Sequence, residues 1–275
     1  MKSHLQKTVS PNAPLGHKTA YPAGYDKSLL YPVKRDEQRQ AMGFPQLSWQ
    51  GVDIWNAYEL AWLNLNGIPQ RVLASFYVPA DSLFLAESKS VKLYLNSLNH
   101  ERFESSEQVK SLIEKDLSEV CQSLVKVLIN PSELDRIESD SVFKCIDQQN
   151  IEVSLYQRSA ELLSCEMQEQ EEKLVSHVFK SHCLVTGQPD WGSIFIHYRG
   201  NFINHDNLLR YLVSYSQHSG FSENCIEQIF VDILERCKPS LLTVFGRFTR
   251  RGGIDINPYR TTHEIIPSNI RLSFQ

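Results

Sequence analysis

Two stretches of this 275-residue chain echo each other, and the echo limits the folds open to it. The first runs Lys92-Leu93-Tyr94-Leu95-Asn96-Ser97, then Phe103, then Ser105-Ser106-Glu107. The second runs Leu209-Arg210-Tyr211-Leu212-Val213-Ser214, then Phe221, then Ser222-Glu223. Apolar residues at three-and-four spacing follow each one. They are Val109, Leu112, Ile113, Leu117, Val120, Cys121 and Leu124 in the first, and Ile226, Ile229, Phe230, Ile233, Leu234 and Cys237 in the second. Such spacing puts them on one buried helical face. Ser105 with Gln108 reads as a capping box. Strand-like runs lie before these helices (Arg71 to Val78; Lys173 to Val185 with Ser193 to Tyr198) and after them (Leu124 to Asn130; Leu241 to Thr249). Strands, helix, helix, strands in both halves predict an α+β fold, an antiparallel sheet with helices layered on one face. The boundary falls near residue 157, dividing the chain into domains 1–157 and 158–275. The acidic stretch Glu166 to Glu172 and the polar run Glu133 to Ser141 read as solvated connections. Met1 to Tyr31, with Pro11, Pro14 and Pro22, reads as an irregular arm.

The formal charge of −4 makes no electrostatic case for bulk binding to nucleic acid or anionic membrane. No apolar run approaches the length of about 18 residues that a spanning helix needs, and the first residues lack the apolar centre of a secretory signal. Six cysteines (Cys121, Cys145, Cys165, Cys183, Cys225 and Cys237) are scattered with no Cys-x-x-Cys pair, which favours a reducing, cytoplasmic setting. His177, His182 and Cys183 are the densest group of metal-ligand types. On a strand His182 and Cys183 point to opposite faces, so no metal site is expected.

The segment Lys180-Ser181-His182-Cys183-Leu184-Val185-Thr186-Gly187-Gln188-Pro189-Asp190-Trp191-Gly192-Ser193 carries the chemistry. An apolar run delivers a thiol, Gly-Gln-Pro reverses the backbone, and a carboxylate returns seven residues later. With Cys183 closing one strand and Asp190 opening the next, thiol and carboxylate can face one pocket, which suits a nucleophile with its own proton handler. Taken singly, each residue has an ordinary reading: Cys183 as a buried strand cysteine, and Asp190 as turn chemistry after proline.

Four segments together resemble the 7-cyano-7-deazaguanine reductase family, the nitrile reductases of queuosine biosynthesis. Cys183-Leu184-Val185-Thr186-Gly187-Gln188-Pro189-Asp190 is similar to the family's nucleophile segment. Glu87-Ser88-Lys89-Ser90-Val91-Lys92-Leu93-Tyr94 is similar to its defining motif. Phe221-Ser222-Glu223 and Arg250-Arg251-Gly252-Gly253-Ile254-Asp255-Ile256-Asn257-Pro258 are similar to two further segments. The likeness runs from about Trp49 to the C-terminus and takes the family's long, two-domain layout.

The resemblance implies two tandem tunnelling-fold (T-fold) domains and a homodimer or higher homo-oligomer. It implies Cys183 and Asp190 as catalytic residues, and Ala86, Glu87, Ser88, Phe221, Ser222 and Glu223 as substrate-binding ones. Ser88, Lys89, Arg251 and Gly252 are implied as NADPH-binding, with Arg250 alongside, and a small deazapurine as the substrate. A carboxylate accepts two parallel hydrogen bonds from the N–H and amino edge of such a ring, which suits Glu87 and Glu223. The ordinary readings are a solvated helix start for Glu87, a serine cap with a dipole-favoured glutamate for Ser222-Glu223, and an exposed basic hairpin for the arginines. Many members carry histidine where this chain has Ser222, which cannot change charge near neutrality. No Gly-x-Gly-x-x-Gly follows a strand, so no Rossmann domain is expected. The same thiol and carboxylate would also serve a thiol-dependent hydrolase of nucleobases or nitriles. The same fold would equally serve a silent purine- or pterin-binding module.

Overall fold

The computed structural model describes residues 22–43, 49–135, 140–184, 186–264 and 268–275. Most of the N-terminal arm, the middle of the polar run after Glu133, and Val185 lie outside the described residues. The chain divides into two compact units. One comprises Met1–Gln46, Val52–Arg136 and Arg250–Ile256, and the other Leu47–Gly51, Ile137–Thr249 and Asn257–Gln275.

In the first unit the order is β1 (Pro32–Lys34), α1 (Arg35–Met42), β2 (Gln50–Leu63), β3 (Pro69–Pro79), β4 (Phe84–Ala86), α2 (Ser88–Ser97), α3 (Ser106–Cys121) and β5 (Lys126–Ile129). The strands β2 and β3 form an antiparallel hairpin from Val52↔Pro79 to Leu63↔Pro69. Its turn is closed by the Asn64 side chain, which accepts from the N–H groups of Asn66 and Ile68, both at 3.0 Å. β5 adds to β3 antiparallel. On α3 the predicted face holds: Val109, Ile113, Leu117 and Cys121 are buried in one core with Trp55, Ala57, Ala74, Phe76 and Val127. Each fully buried aliphatic side chain there contributes about 1.5–3 kcal/mol. Ser105 is the N-cap of α3 and accepts from the Gln108 N–H at 3.4 Å.

In the second unit the order is β6 (Lys144–Cys145), β7 (Cys165–His182), β8 (Pro189–Ile203), α4 (His205–Val213), α5 (Ser222–Cys237), β9 (Leu241–Phe248) and β10 (Ile254–Thr261), whose first three residues fall in the first unit. β7 and β8 make a long antiparallel hairpin from Cys165↔Ile203 to His182↔Pro189. β9 pairs with β8 and β10 with β9, both antiparallel, while the short β6 lies parallel to β7. Helix α5 packs on β8 and β9 through Ile226, Ile229, Phe230 and Ile233, all fully buried.

Helices and strands in these proportions give the expected α+β class. The acidic stretch is a correction: Glu166 to Glu172 is strand, the first part of β7. Cross-strand partners explain it. Glu171 accepts from Arg199 at 2.7 Å and meets His197 at 2.9 Å, and Glu172 accepts from the Tyr198 hydroxyl at 2.7 Å. The short β1, β4 and β6 and two longer strands, β2 and β10, escaped the sequence reading. In β2, polar Asp53 and Asn56 break the apolar pattern, yet both are buried and satisfied: Arg35 donates to Asp53 at 2.6 Å, and Asn56 donates to Asp255 at 2.9 Å.

Candidate active site

The tip of the β7–β8 hairpin holds Cys183 two residues beyond Ser181, the partner of Asp190. Past the pair His182↔Pro189, the Cys183 N–H donates to the Gln188 carbonyl at 2.8 Å, carrying the register one step further. The Gly187 N–H donates back to the Cys183 carbonyl at 3.0 Å, and Gly187 takes φ 68°, a left-handed conformation that suits glycine. Asp190 stands opposite Ser181 and therefore shares its face of the hairpin. Cys183 lies two residues past Ser181 and just beyond the end of β7; a continued strand alternation would put it on the face of Asp190. The Cys183 side chain is buried and Asp190 is half-buried.

The helix start that carries Phe221, Ser222 and Glu223 is fastened to the same hairpin end. The His182 N–H donates to the His218 carbonyl at 2.8 Å, and the Gly220 N–H donates to the His182 carbonyl at 3.1 Å. Phe221 is the N-cap of α5 and Ser222 its first helical residue, and no side chain caps the helix. The serine-cap reading of Ser222 is therefore corrected: Ser222 lies one position too far along the helix. Glu223 is buried in the first turn, where the helix dipole favours a negative charge.

Cys225 sits among these groups, a residue the sequence reading passed over. Burial pushes its thiol up to about 12. The Ser181 hydroxyl works the other way, and the charges of Asp190 and Glu223 add to the rise. Two carboxylates thus converge on the space around Cys225. A Cβ on Gly220 would lie 3.5 Å from the Cys225 sulfur and 3.2 Å from the His218 ring nitrogen Nε2. The His218 ring is pushed down to about 4, by burial first and then by Arg158, so it is a neutral imidazole near pH 7. The only signal of these two in the sequence was their closeness to Phe221-Ser222-Glu223.

In the first unit, Ala86 ends β4, and Glu87 is the N-cap of α2. Both Glu87 carboxylate oxygens accept backbone N–H groups, Lys89 at 2.8 Å and Ser90 at 2.8 Å. Burial raises the Glu87 carboxyl above its ordinary value, with those hydrogen bonds opposing the rise. Glu87 is thus a helix-start residue, as its ordinary reading had it, but a buried one and not solvated. Ser88 and Lys89 open α2, and Lys92 follows one turn on. The hairpin of Arg250 to Gly253 approaches that turn: a Cβ on Gly252, at φ 59°, would lie 3.9 Å from the Lys92 side chain. Gly252 therefore lies beside the helix whose first turn begins with Ser88 and Lys89. A helix N-terminus, lysines, arginines and two consecutive glycines at positive φ form a donor set that fits phosphate groups.

Residues 21–129 match the family "Nitrile reductase, 7-cyano-7-deazaguanine-reductase N-term", and residues 189–266 match "QueF-like protein". A curated NADPH-dependent 7-cyano-7-deazaguanine reductase of Paraburkholderia phytofirmans is 48% identical, covering 96% of this chain and 98% of its own length. The protein of the same name from Cupriavidus necator is 49% identical over 92% of this chain and 94% of its own. That from Burkholderia multivorans is 46% identical over 96% and 98%. The chain is thus an enzyme of the oxidoreductase class. It belongs to the NADPH-dependent 7-cyano-7-deazaguanine reductase family.

Proposed function

We propose that this protein reduces the nitrile of 7-cyano-7-deazaguanine to an aminomethyl group with NADPH, through a covalent thioimide on Cys183. The observation that supports the reading is the hairpin register, in which Ser181 pairs with Asp190 two residues before Cys183, together with the burial of Cys183 and Glu223. A nitrile carbon is electrophilic and a thiolate is a strong nucleophile toward it. Asp190 accepts the Cys183 proton as sulfur bonds to carbon, and passes it to the nitrile nitrogen. One hydride to the thioimide carbon lets sulfur leave as thiolate to give the imine, and a second hydride with a proton completes the amine. Nitrile to amine takes four electrons, so the overall change consumes two protons and two hydrides, the hydrides being what bound NADPH supplies. The covalent bond keeps the half-reduced compound from water.

Glu223 accepts from the N–H and amino edge of the heterocycle, and Phe221 stacks on it. Glu87, with Ala86 and Ser88, is a second substrate-binding carboxylate in its own unit. Ser222 gives a hydrogen-bonding hydroxyl where many relatives have an imidazole. Ser88, Lys89, Arg251 and Gly252 hold the cofactor. The tandem T-fold reading is supported by a Tyr–Asp hydrogen bond found in each unit, Tyr94 to Asp116 and Tyr211 to Asp232, and the proposal carries a boundary near residue 157. The assignment extends to a cytoplasmic homo-oligomer with no direct role for nucleic acid. No helix among the described residues is long and apolar enough to cross a membrane.

The test is NADPH oxidation on adding the nitrile, with intact mass measured in parallel. Wild type should consume two NADPH per nitrile and gain the mass of the substrate, whereas Cys183→Ala should do neither. Asp190→Asn should lower turnover about 100-fold or more while leaving substrate binding within about 3-fold. Acid and ammonia released without NADPH loss would convert the reading to a hydrolase. Absence of any adduct on wild type would leave a binding module.

A further inference from the structure

Ser181 carries a buried hydroxyl that the reaction described above does not use. The residue is 1% exposed and lies in β7, two positions before Cys183. Its Oγ makes no conventional hydrogen bond among the described residues. Buried polar groups are paired as a rule, so an orphan inside a site calls for a reason. Asp190 stands directly opposite Ser181 in the β7–β8 ladder. Residues so placed share a face, with Cβ atoms about 4.5–5.5 Å apart. Rotation about one side-chain bond brings a serine hydroxyl within hydrogen-bond reach of a carboxylate at that position. Cys225 marks the same neighbourhood: the Ser181 hydroxyl and the charges of Asp190 and Glu223 all act on its thiol. Burial keeps that thiol protonated near neutrality. A protonated thiol is a weak acceptor, so it leaves the Ser181 proton for a stronger one.

We propose that Ser181 is a positioning residue for the proton transfer: its hydroxyl turns to Asp190 and holds that side chain in place as it takes the Cys183 proton and gives it up. The inference rests on the thioimide reading above and adds a residue to it. A proton carrier passes through two states with opposite needs. The carboxylate only accepts hydrogen bonds, whereas the carboxylic acid also donates one. A serine hydroxyl meets both, because it donates through its hydrogen, accepts through its lone pairs, and exchanges the roles by rotation. A backbone N–H serves only the charged state. An ionised carboxylate accepts at about four lone-pair positions, so the hydroxyl adds to the other contacts of Asp190. Ser181 keeps its own proton throughout. The proton that moves goes from the Cys183 sulfur to Asp190 and on to the nitrile nitrogen.

The rate of thioimide formation on the full-length protein, followed by intact mass with 7-cyano-7-deazaguanine and no NADPH, tests this. Ser181→Ala should slow adduct formation about 10-fold and leave the nitrile dissociation constant within about 2-fold. Ser181→Thr keeps the hydroxyl and should stay within about 3-fold of wild type. The denaturation midpoint of Ser181→Ala should equal or exceed that of wild type, because an unpaired buried hydroxyl has no hydrogen bond to lose. Ser176 supplies the control. It is fully buried on the same strand, also without a hydrogen-bond partner among the described residues, and stands opposite Ile194. Ser176→Ala should leave adduct formation within about 2-fold. In an Asp190→Asn background, Ser181→Ala should slow the adduct by less than about 2-fold further, since the group it positions is gone. Wild-type rates in Ser181→Ala, failure of threonine to restore the rate, a lowered midpoint, an equal loss in Ser176→Ala, or full additivity with Asp190→Asn would overturn the assignment and spare the thioimide. No adduct on wild type, or Asp190→Asn at the wild-type rate, would remove both readings.

Discussion

The two units repeat one scaffold and then depart from it at their helix starts. In the first, the Tyr94 hydroxyl donates to Asp116 at 2.7 Å, and Ser97 donates to the Tyr94 carbonyl at 2.6 Å. In the second, Tyr211 donates to Asp232 at 2.5 Å, and Ser214 to the Tyr211 carbonyl at 2.6 Å. The long helices α3 and α5 each have 16 residues and end in a left-handed cap at φ 49°, Gln122 in one and Lys238 in the other. The starts differ. Glu107 and Glu223 hold the same second position of their helices, but the Glu107 side chain is 71% exposed and pairs with Lys110, whereas Glu223 is buried. The reverse holds at the shorter helices. Buried Glu87 caps α2, and a half-buried Asn204 caps α4 in the ordinary way, accepting from Asn207 at 3.1 Å. Each unit therefore buries one carboxylate at a helix start, and each at a different helix. Burying a carboxylate costs free energy that a surface cap does not, so the departures mark where the proposed site lies and the repeats mark what holds the fold.

The shared Tyr–Asp pair gives the largest expected contrast. Asp232 also accepts two hydrogen bonds from Arg158, at 2.9 and 2.6 Å, and one from Gln228 at 2.9 Å. Asp116 has Tyr25 at 2.8 Å and a longer contact to Lys27 at 3.7 Å. Asp232→Asn strands a partly buried guanidinium and should cost about 3 kcal/mol, while Asp116→Asn should cost about 1 kcal/mol. Urea unfolding of the two variants measures both, and equal losses would mean that the units use the pair alike.

The paired glutamates come next. Glu223→Gln should raise the dissociation constant of the nitrile about 10-fold or more, by removing one acceptor from a buried two-point contact. Glu107→Gln should leave it within about 2-fold. Titration calorimetry decides, and equal effects would end the assignment of Glu223.

The smallest effect is a pH dependence at Glu87. Burial raises its folded carboxyl pKa above the unfolded value of about 4.3. Stability from that difference is complete below the unfolded value and declines as pH rises through the folded one. Glu87→Gln has no proton to lose, so wild type should lose stability relative to it as pH rises from about 4 toward neutrality. Denaturant midpoints across that range read the slope, and a slope of opposite sign would show that the N–H bonds from Lys89 and Ser90 outweigh burial.

The sequence by itself determined the repeat, the buried faces of α3 and α5, the turn after Cys183 and the family. These are local or periodic: apolar spacing reports a helical face whatever packs on it, and Gly-Gln-Pro turns the chain on its own dihedral limits. Only the tertiary structure decided that Glu166 to Glu172 is strand, since the partners of Glu171 and Glu172 arrive from β8, some 25 residues on. The same holds for β2, whose polar positions look solvated until Arg35 and Asp255 are beside them. It also decided that the charges of Asp190 and Glu223 act on Cys225, and that Glu59 pairs with Lys92. Charge and burial at a site are sums over groups distant in the chain, and no window of sequence contains those sums.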